Sequence, residues 1–185
     1  MYRSPAPRYP FLTHEAGPGL SDCGEEIAVS QENYWHTVLF LCSGNYYRSR
    51  FAEIYFNFLA QRDNLAWRAD SRGLALYPDN VGPISAHARK CLDELGIALP
   101  DPLRLPIDVL ERDLAEARLI VALKEAEHRP LMEARFPDWV ERVEYWHVHD
   151  LDCAQPTEAL PQVKRHVEEL VLRLRRRRSP VALDS

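Results

Sequence analysis

A cysteine and an arginine six positions apart frame a short loop in the stretch LCSGNYYRSR. Cys42 can act as a thiolate nucleophile, and the planar guanidinium of Arg48 can hold two oxygens of a phosphate at once. Gly44 and Asn45 are residue types that tolerate the positive φ that a tight curl of the backbone needs. Ser49 can donate a hydrogen bond to the sulfur. The pattern therefore predicts a nucleophile and an oxyanion cradle in one loop.

The loop stands between an apolar, strand-like run at 37–42 and a helical stretch that begins at residue 49. In open α/β sheets, ligands bind where strands end, and backbone N–H groups at a helix N-terminus attract anions. A cysteine that ends a buried strand is often plain core packing. Here the strand, the Gly-Asn pair, the helix and the position of the loop all agree, which favours an active loop.

The rest of the chain alternates between strand and helix patterns. The runs TVLFLC and RLIVAL are continuously apolar, as expected of parallel strands buried on both faces. Such alternation indicates right-handed βαβ units, and so an α/β three-layer sandwich whose central parallel sheet has about four strands. The predicted strands are 37–42, 65–71, 118–123 and 143–148, and the predicted helices are 49–62, 84–95, 107–115, 125–134 and 157–176.

Length and composition indicate one globular domain. The chain has 185 residues, of which 46% are hydrophobic and 28% charged. We expect the domain at 34–178, after an extended or disordered leader at 1–33 rich in proline and glycine, and before a tail at 179–185. The net charge of −5 gives no general attraction to nucleic acid or to an anionic membrane. The basic run at 173–178 is interpreted as a solvated helix end.

Cysteine usage and hydropathy point to a cytoplasmic protein. The four cysteines have irregular spacing and no CxxC pair, which favours free thiols over a disulfide frame or a zinc ribbon. No stretch has the length and apolar character of a membrane span, and the N-terminus lacks the apolar centre of a signal peptide. His147 and His149 share one face of a strand, but nothing completes a metal site beside them. No metal or cofactor is therefore predicted.

The stretch VLFLCSGNYYRSRFAE resembles the signature of the low-molecular-weight protein tyrosine phosphatase family. The resemblance covers about residues 35–176 and includes ADSRGLALY, AHARKCLDELGIAL and LAEARLIVALKEAEHRPLMEARFP. It departs from the family at Arg50, where proline is usual, at Arg72, where a small residue is usual, and at Lys124, where aspartate is frequent. The signature residues that match are Cys42, Gly44, Asn45, Arg48, Ser49, Ala52 and Glu53.

The resemblance implies a phosphotyrosine phosphatase I-like fold and a cysteine-dependent hydrolysis of phosphotyrosine or similar aryl phosphates through a phosphocysteine. Its partners would be a phosphorylated protein or a small aryl phosphate, with phosphate or another oxyanion in the loop. Tyr46 and Tyr77 would line an aromatic crevice. The substrate-binding residues would be Ser43, Gly44, Asn45, Tyr46, Tyr47, Ser49 and Tyr77, beside the catalytic Cys42 and Arg48.

The same resemblance implies a general acid in the loop after the last strand, usually an Asp-Pro pair. Asp150 stands four residues after Trp146, a spacing seen in relatives, although Leu151 replaces the proline. Asp152 begins Asp-Cys-Ala, which mimics Asp-Pro-Ala, and is the second candidate. Strand register is a firmer guide than loop length, so Asp150 is favoured.

Two other functions fit the same residues. Arsenate reductases share the fold and the loop, but they need a pair of cysteines just after the central strand, and VALKEAEHRPL contains none. The departures from the family pattern leave room for a module that binds phosphate or phosphotyrosine without turnover. The sequence makes no prediction of oligomeric state.

Overall fold

A parallel sheet of four strands forms the centre of the molecule. The computed structural model describes residues 35–148 and 159–178, with side chains up to residue 176. The strands pair in parallel in the order β2-β1-β3-β4, so the strand that leads into the cysteine loop is central. The predicted parallel α/β sheet is confirmed. The strands are β1 (His36–Cys42), β2 (Trp67–Gly73), β3 (Leu119–Ala122) and β4 (Val143–Tyr145).

Helices cover both faces of the sheet and complete the predicted three layers. The first, second and fifth helices share one core cluster with the sheet, and the third and fourth share another with its opposite face. Across the described ranges, no helix combines the length and apolar character needed to cross a membrane. The helices are α1 (Arg48–Arg62), α2 (Ala86–Glu94), α3 (Glu111–Glu116), α4 (Glu125–Arg135), a 3-10 turn (Pro137–Arg142) and α5 (Ala159–Arg178).

The predicted helix at 107–115 is wrong in its first turn, because α3 begins only at Glu111. The preceding residues continue the sheet hydrogen bonding at the end of β2. Gly73 donates its N–H to the carbonyl of Ile107, and the N–H of Val109 donates to the carbonyl of Gly73, both at 2.9 Å. Apolar spacing suggested a helix, but pairing with a distant strand satisfies this backbone instead.

The second and fourth strands differ from their predicted limits. β2 lies two residues later than the predicted 65–71 because it is an edge strand with alternating burial, so it lacks the continuous apolar run that would mark its limits. β4 ends at Tyr145, three residues before the predicted end. Neither shift moves the end of β1.

Side chains of β1 are buried on both faces of the sheet, as its apolar run predicted. On one face, the ring of Phe40 packs between Phe56 and Trp146, with centroid separations of 6.0 and 5.7 Å. Leu39 and Leu41 belong to the core on the opposite face. This packing from both sides fixes the point at which the cysteine loop leaves the sheet.

We expect Phe40→Ala to lower the free energy of unfolding by about 3–5 kcal/mol, because the ring is fully buried and its loss leaves a cavity. Urea denaturation at neutral pH measures the change. Leu172→Ala is the matched control, since Leu172 is 51% exposed and should cost far less. Equal losses in the two variants would contradict the central place of Phe40 in the core.

Candidate functional site

The cysteine loop occupies the position predicted for it, between the end of β1 and the start of α1. Cys42 is the last residue of the strand and is 3% exposed, and α1 begins at Arg48. The sulfur of Cys42 lies 3.0 Å from the hydroxyl oxygen of Ser49, which is fully buried. The predicted contact between this serine and the sulfur is therefore present in the structure.

The backbone carbonyls of the loop point outward, toward the segment 74–85. The carbonyls of Cys42, Ser43 and Tyr46 accept N–H groups of that segment at 2.9–3.0 Å. In a trans peptide, the N–H of the next residue points opposite to the carbonyl. Several loop N–H groups therefore turn away from the segment 74–85, as an anion nest at a helix N-terminus requires.

The Gly-Asn pair serves the loop in two different ways. Asn45 has a φ of +46°, the left-handed conformation that the sequence predicted for this pair. Gly44 does not have a positive φ, so that part of the prediction is wrong. Glycine allows close packing there, because a Cβ would lie 2.9 Å from the ring of Tyr77 and from the amide nitrogen of Asn80, so those side chains would have to move.

All hydrogen-bonding positions of the Asn45 side chain are used. Its amide nitrogen donates to the hydroxyls of Ser49 at 3.1 Å and Ser71 at 2.8 Å. Its amide oxygen accepts from the guanidinium of Arg104 at 3.0 Å and from the backbone N–H of Ile107 at 2.9 Å. Because Asn45 is fully buried, these bonds hold the loop in its curled form.

Arg48 is held by a carboxylate that the sequence analysis did not identify. Its two terminal nitrogens donate to the two oxygens of Glu127, both at 3.0 Å, and the hydroxyl of Ser43 donates to the same carboxylate. Glu127 lies in the first turn of α4, which follows the central strand β3. An acid at a helix N-terminus near the carboxyl edge of the sheet was the available signal.

The charge on Glu127 is strongly stabilised. Burial alone would raise the pKa of this carboxyl group, but His128, Arg48 and Ser43 together hold the pKa well below its ordinary value. His128 is fully buried, and burial lowers its own pKa. Its Nδ1 accepts the N–H of Lys124 at 3.0 Å, so the neutral ring carries its proton on Nε2, 3.6 Å from the carboxylate. That separation exceeds a hydrogen bond, so Arg48 and Ser43 make the direct contacts.

The three tyrosines predicted to bind substrate lie in different surroundings. The hydroxyl of Tyr46 donates to the carbonyl of Val81 at 2.8 Å and ties the loop to the segment 74–85. Tyr77, on that segment, lies against the glycine of the loop and is 55% exposed. The ring of Tyr47 faces His87 of α2 at 6.5 Å and packs against the core. Tyr46 and Tyr77 thus both take part in the contact between the loop and the segment 74–85, whereas Tyr47 contacts α2.

Both candidates for the general acid, Asp150 and Asp152, lie outside the described residues. Trp146, which precedes Asp150 by four residues, lies within the described residues. The backbone N–H of Trp146 donates to the carbonyl of Ala122 at 2.8 Å, so the chain still follows β3 at that point. Within 35–148 and 159–178, no group of three or more His, Cys, Asp or Glu side chains is arranged to hold a metal ion.

Comparison with known proteins connects this geometry with one family. A family model described as low molecular weight phosphotyrosine protein phosphatase matches residues 37–179. No curated protein matches the chain at a significant level.

Solved structures share the fold of the chain. YfkJ from Bacillus subtilis is 24% identical, with 78% of this chain and 98% of that chain covered and a TM-score of 0.66. The low molecular weight protein tyrosine phosphatase from T. tengcongensis is 24% identical, with 77% and 99% covered and a TM-score of 0.61. Vibrio vulnificus Wzb, solved with benzylphosphonate, is 14% identical, with 75% and 99% covered and a TM-score of 0.63.

We expect Glu127→Gln to lower the free energy of unfolding by about 1–3 kcal/mol at pH 7, because Arg48 loses the charge that faces it. The folded state keeps Glu127 ionised in acid, whereas the unfolded chain takes up a proton near its ordinary pKa, about 4.3. The difference in free energy of unfolding between wild type and Glu127→Gln is therefore fully present above that pH and shrinks as the pH falls below it. Urea denaturation from pH 7 down to about pH 3 measures the difference.

Glu125→Gln is the matched control for this experiment. Glu125 lies on the same helical turn, and its pair with Arg129 is partly exposed at 2.9 Å, so its loss should cost less than about 1 kcal/mol. A pH-independent difference for Glu127→Gln, or none at all, would show that the carboxylate does not hold Arg48 by charge.

Proposed function

The chain belongs to the low molecular weight phosphotyrosine protein phosphatase family and is a cysteine-dependent phosphatase; on this premise we propose that its loop hydrolyses phosphotyrosine or similar aryl phosphate monoesters, with Cys42 as nucleophile. The observation that carries the proposal is the contact of 3.0 Å between the Cys42 sulfur and the Ser49 hydroxyl, in a loop whose Arg48 is oriented by a carboxylate. A sulfur anion, a hydrogen-bond donor and a guanidinium are the groups that phosphoryl transfer to cysteine requires.

In the first step, the thiolate of Cys42 attacks phosphorus. The sulfur–phosphorus bond forms as the bond from phosphorus to the aryl oxygen breaks, and Asp150 gives its proton to that oxygen, with Asp152 as the second candidate. Arg48 and the loop N–H groups hold the equatorial phosphate oxygens, whose charge they stabilise. The products of this step are the phenol and a phosphocysteine.

In the second step, water hydrolyses the phosphocysteine. The ionised aspartate accepts a proton from the attacking water, and the sulfur leaves as a thiolate, stabilised by the hydroxyl of Ser49. Inorganic phosphate departs, and the aspartate and Cys42 return to their initial protonation states. The cycle draws on side chains and backbone N–H groups of this chain and on water.

The aromatic side chains beside the loop support an aryl substrate. Tyr46 and Tyr77 both lie where the loop meets the segment 74–85, and their rings can stack on a flat leaving group. The substrate would be a phosphotyrosine side chain of a protein, or a small aryl phosphate, in the cytoplasm. The family match favours this reaction over arsenate reduction and over binding without turnover.

Cys42→Ser tests the proposal directly. We expect the variant to lose turnover of para-nitrophenyl phosphate completely, because the hydroxyl is a far weaker nucleophile than the thiolate. Cys91→Ser is the matched control, since Cys91 is a partly buried cysteine on α2, and it should keep the wild-type rate. Retained activity in Cys42→Ser would end the proposal.

Replacing each candidate acid separately identifies the general acid. We expect Asp150→Asn to lower kcat for para-nitrophenyl phosphate by about 100-fold or more, in line with the usual contribution of general acid catalysis. The variant should also lose the limb of the pH profile on which the acid ionises. Asp152→Asn should stay within about threefold of wild type. The opposite result would assign the role to Asp152. If neither variant changed kcat, neither aspartate would be the general acid.

A further inference from the structure

We propose that Arg104 is a positioning residue of the phosphatase reaction, which acts through Asn45 on the hydrogen bond that Ser49 makes to the Cys42 sulfur. The inference rests on the proposed function of the Cys42 loop. It concerns a residue outside the loop signature, 59 positions from Asn45 in the sequence.

Arg104 lies between α2 and α3, and its guanidinium contacts Asn45 of the loop. Its side chain is 27% exposed, and one terminal nitrogen donates to the amide oxygen of Asn45. The other nitrogen anchors the group to the end of β2 and to α1. Its acceptors are Glu53 Oε2 at 2.8 Å, Asp70 Oδ1 at 3.0 Å, and the carbonyl and hydroxyl oxygens of Ser71 at 2.8 and 3.0 Å.

The donors of this network fix the direction of every bond that leads to the sulfur. Arginine has donors and no acceptor, so the oxygen of the Asn45 amide must face Arg104, and its nitrogen must face Ser49. The Ser49 oxygen then accepts from Asn45, which leaves the hydroxyl proton for the sulfur of Cys42, 3.0 Å away. The chain of donors therefore runs from Arg104 to the thiolate.

Charge distinguishes Arg104 from the other donor to the same oxygen. The backbone N–H of Ile107 also donates to the Asn45 oxygen at 2.9 Å, and it would preserve the direction of the amide without Arg104. What only Arg104 supplies is a positive charge, and charge-assisted bonds polarise the bonds that follow them in a network. Loss of Arg104 should therefore weaken stabilisation of the sulfur anion while the loop keeps its shape.

The carboxylates around Arg104 hold its guanidinium in place. The same oxygen of Glu53 that accepts from Arg104 also accepts from Arg50 at 2.7 Å, and Arg50 is 1% exposed. Asp70 pairs with Arg104 at 3.0 Å and with Arg72 at 2.7 Å. Because each acid has a second arginine partner, replacement of Arg104 leaves neither carboxylate without a cation. We therefore expect the variant to fold.

Steady-state kinetics of Arg104→Met with para-nitrophenyl phosphate tests the role. Methionine keeps the apolar stem and removes the charge, so we expect kcat to fall by about tenfold or more, with KM within about twofold and the melting temperature close to wild type. Arg104→Lys should recover part of kcat, since its ammonium can donate to Asn45 but cannot also reach the partners that a guanidinium spans. Arg68→Met is the matched control, because Arg68 is an exposed arginine of β2 that donates to the hydroxyl of Thr37 on β1.

Alkylation of Cys42 separates failure of the inference from failure of the proposed function. Iodoacetate labelling at one neutral pH, followed on the Cys42 peptide by mass spectrometry, reports thiolate reactivity without any turnover. We expect slower labelling in Arg104→Met and wild-type labelling in Arg68→Met. Unchanged kcat and labelling in a folded Arg104→Met protein would overturn the inference. The inference would also be overturned if the fall in kcat of Arg104→Met merely matched the fraction of unfolded protein, or if Arg104→Lys recovered no kcat. An inactive wild-type protein would instead overturn the proposed function.

Discussion

The structure depends on one constraint: the loop after Cys42 must stay curled, with N–H groups that face away from the segment 74–85 and with the guanidinium of Arg48 at the start of α1. Such groups repel one another when no anion lies between them, so the loop cannot keep its form by its own bonds alone. Three other parts of the fold hold it. The segment 74–85 binds the loop carbonyls, Glu127 binds Arg48, and Arg104 with Ile107 binds the side chain of Asn45. Each holds a different chemical group, and together they define the cradle.

Two departures from the family signature, both arginines, are explained by the acids that pair with them. Arg50, where proline is usual, is buried, and it pairs with Glu53 one helical turn later. Arg72, where a small residue is usual, pairs with Asp70 at 2.7 Å and Asp113 at 3.1 Å. A buried cation without an acid would cost several kcal/mol, so the arginines and acids must occur together. These departures are therefore parts of one ion network at the end of β2.

Local patterns in the sequence predicted the parts of the site that are close together along the chain. The apolar run of β1, the αL position of Asn45 and the contact of Cys42 with Ser49 all follow from residues within one loop. The partners Glu127 and Arg104 lie 79 and 59 residues from their loop contacts, and no local period marks them. Backbone pairing at 107–109 was missed for the same reason, because tertiary bonds override spacing patterns.

The order of charges in the network explains how the carboxylate of Glu53 can support the loop without opposing a negative charge on the sulfur. Glu53 accepts from Arg104, which donates to Asn45, so the negative charge lies at the far end of the chain of donors from the sulfur. The pair formed by Glu127 and Arg48 follows the same rule, since the cation belongs to the loop and the acid to a neighbouring helix. In both cases the acid fixes a cation without itself contacting the sulfur through that chain. Both acids therefore support the proposed anion-binding loop by fixing a cation beside it, and Glu127 also accepts a hydrogen bond from the hydroxyl of Ser43.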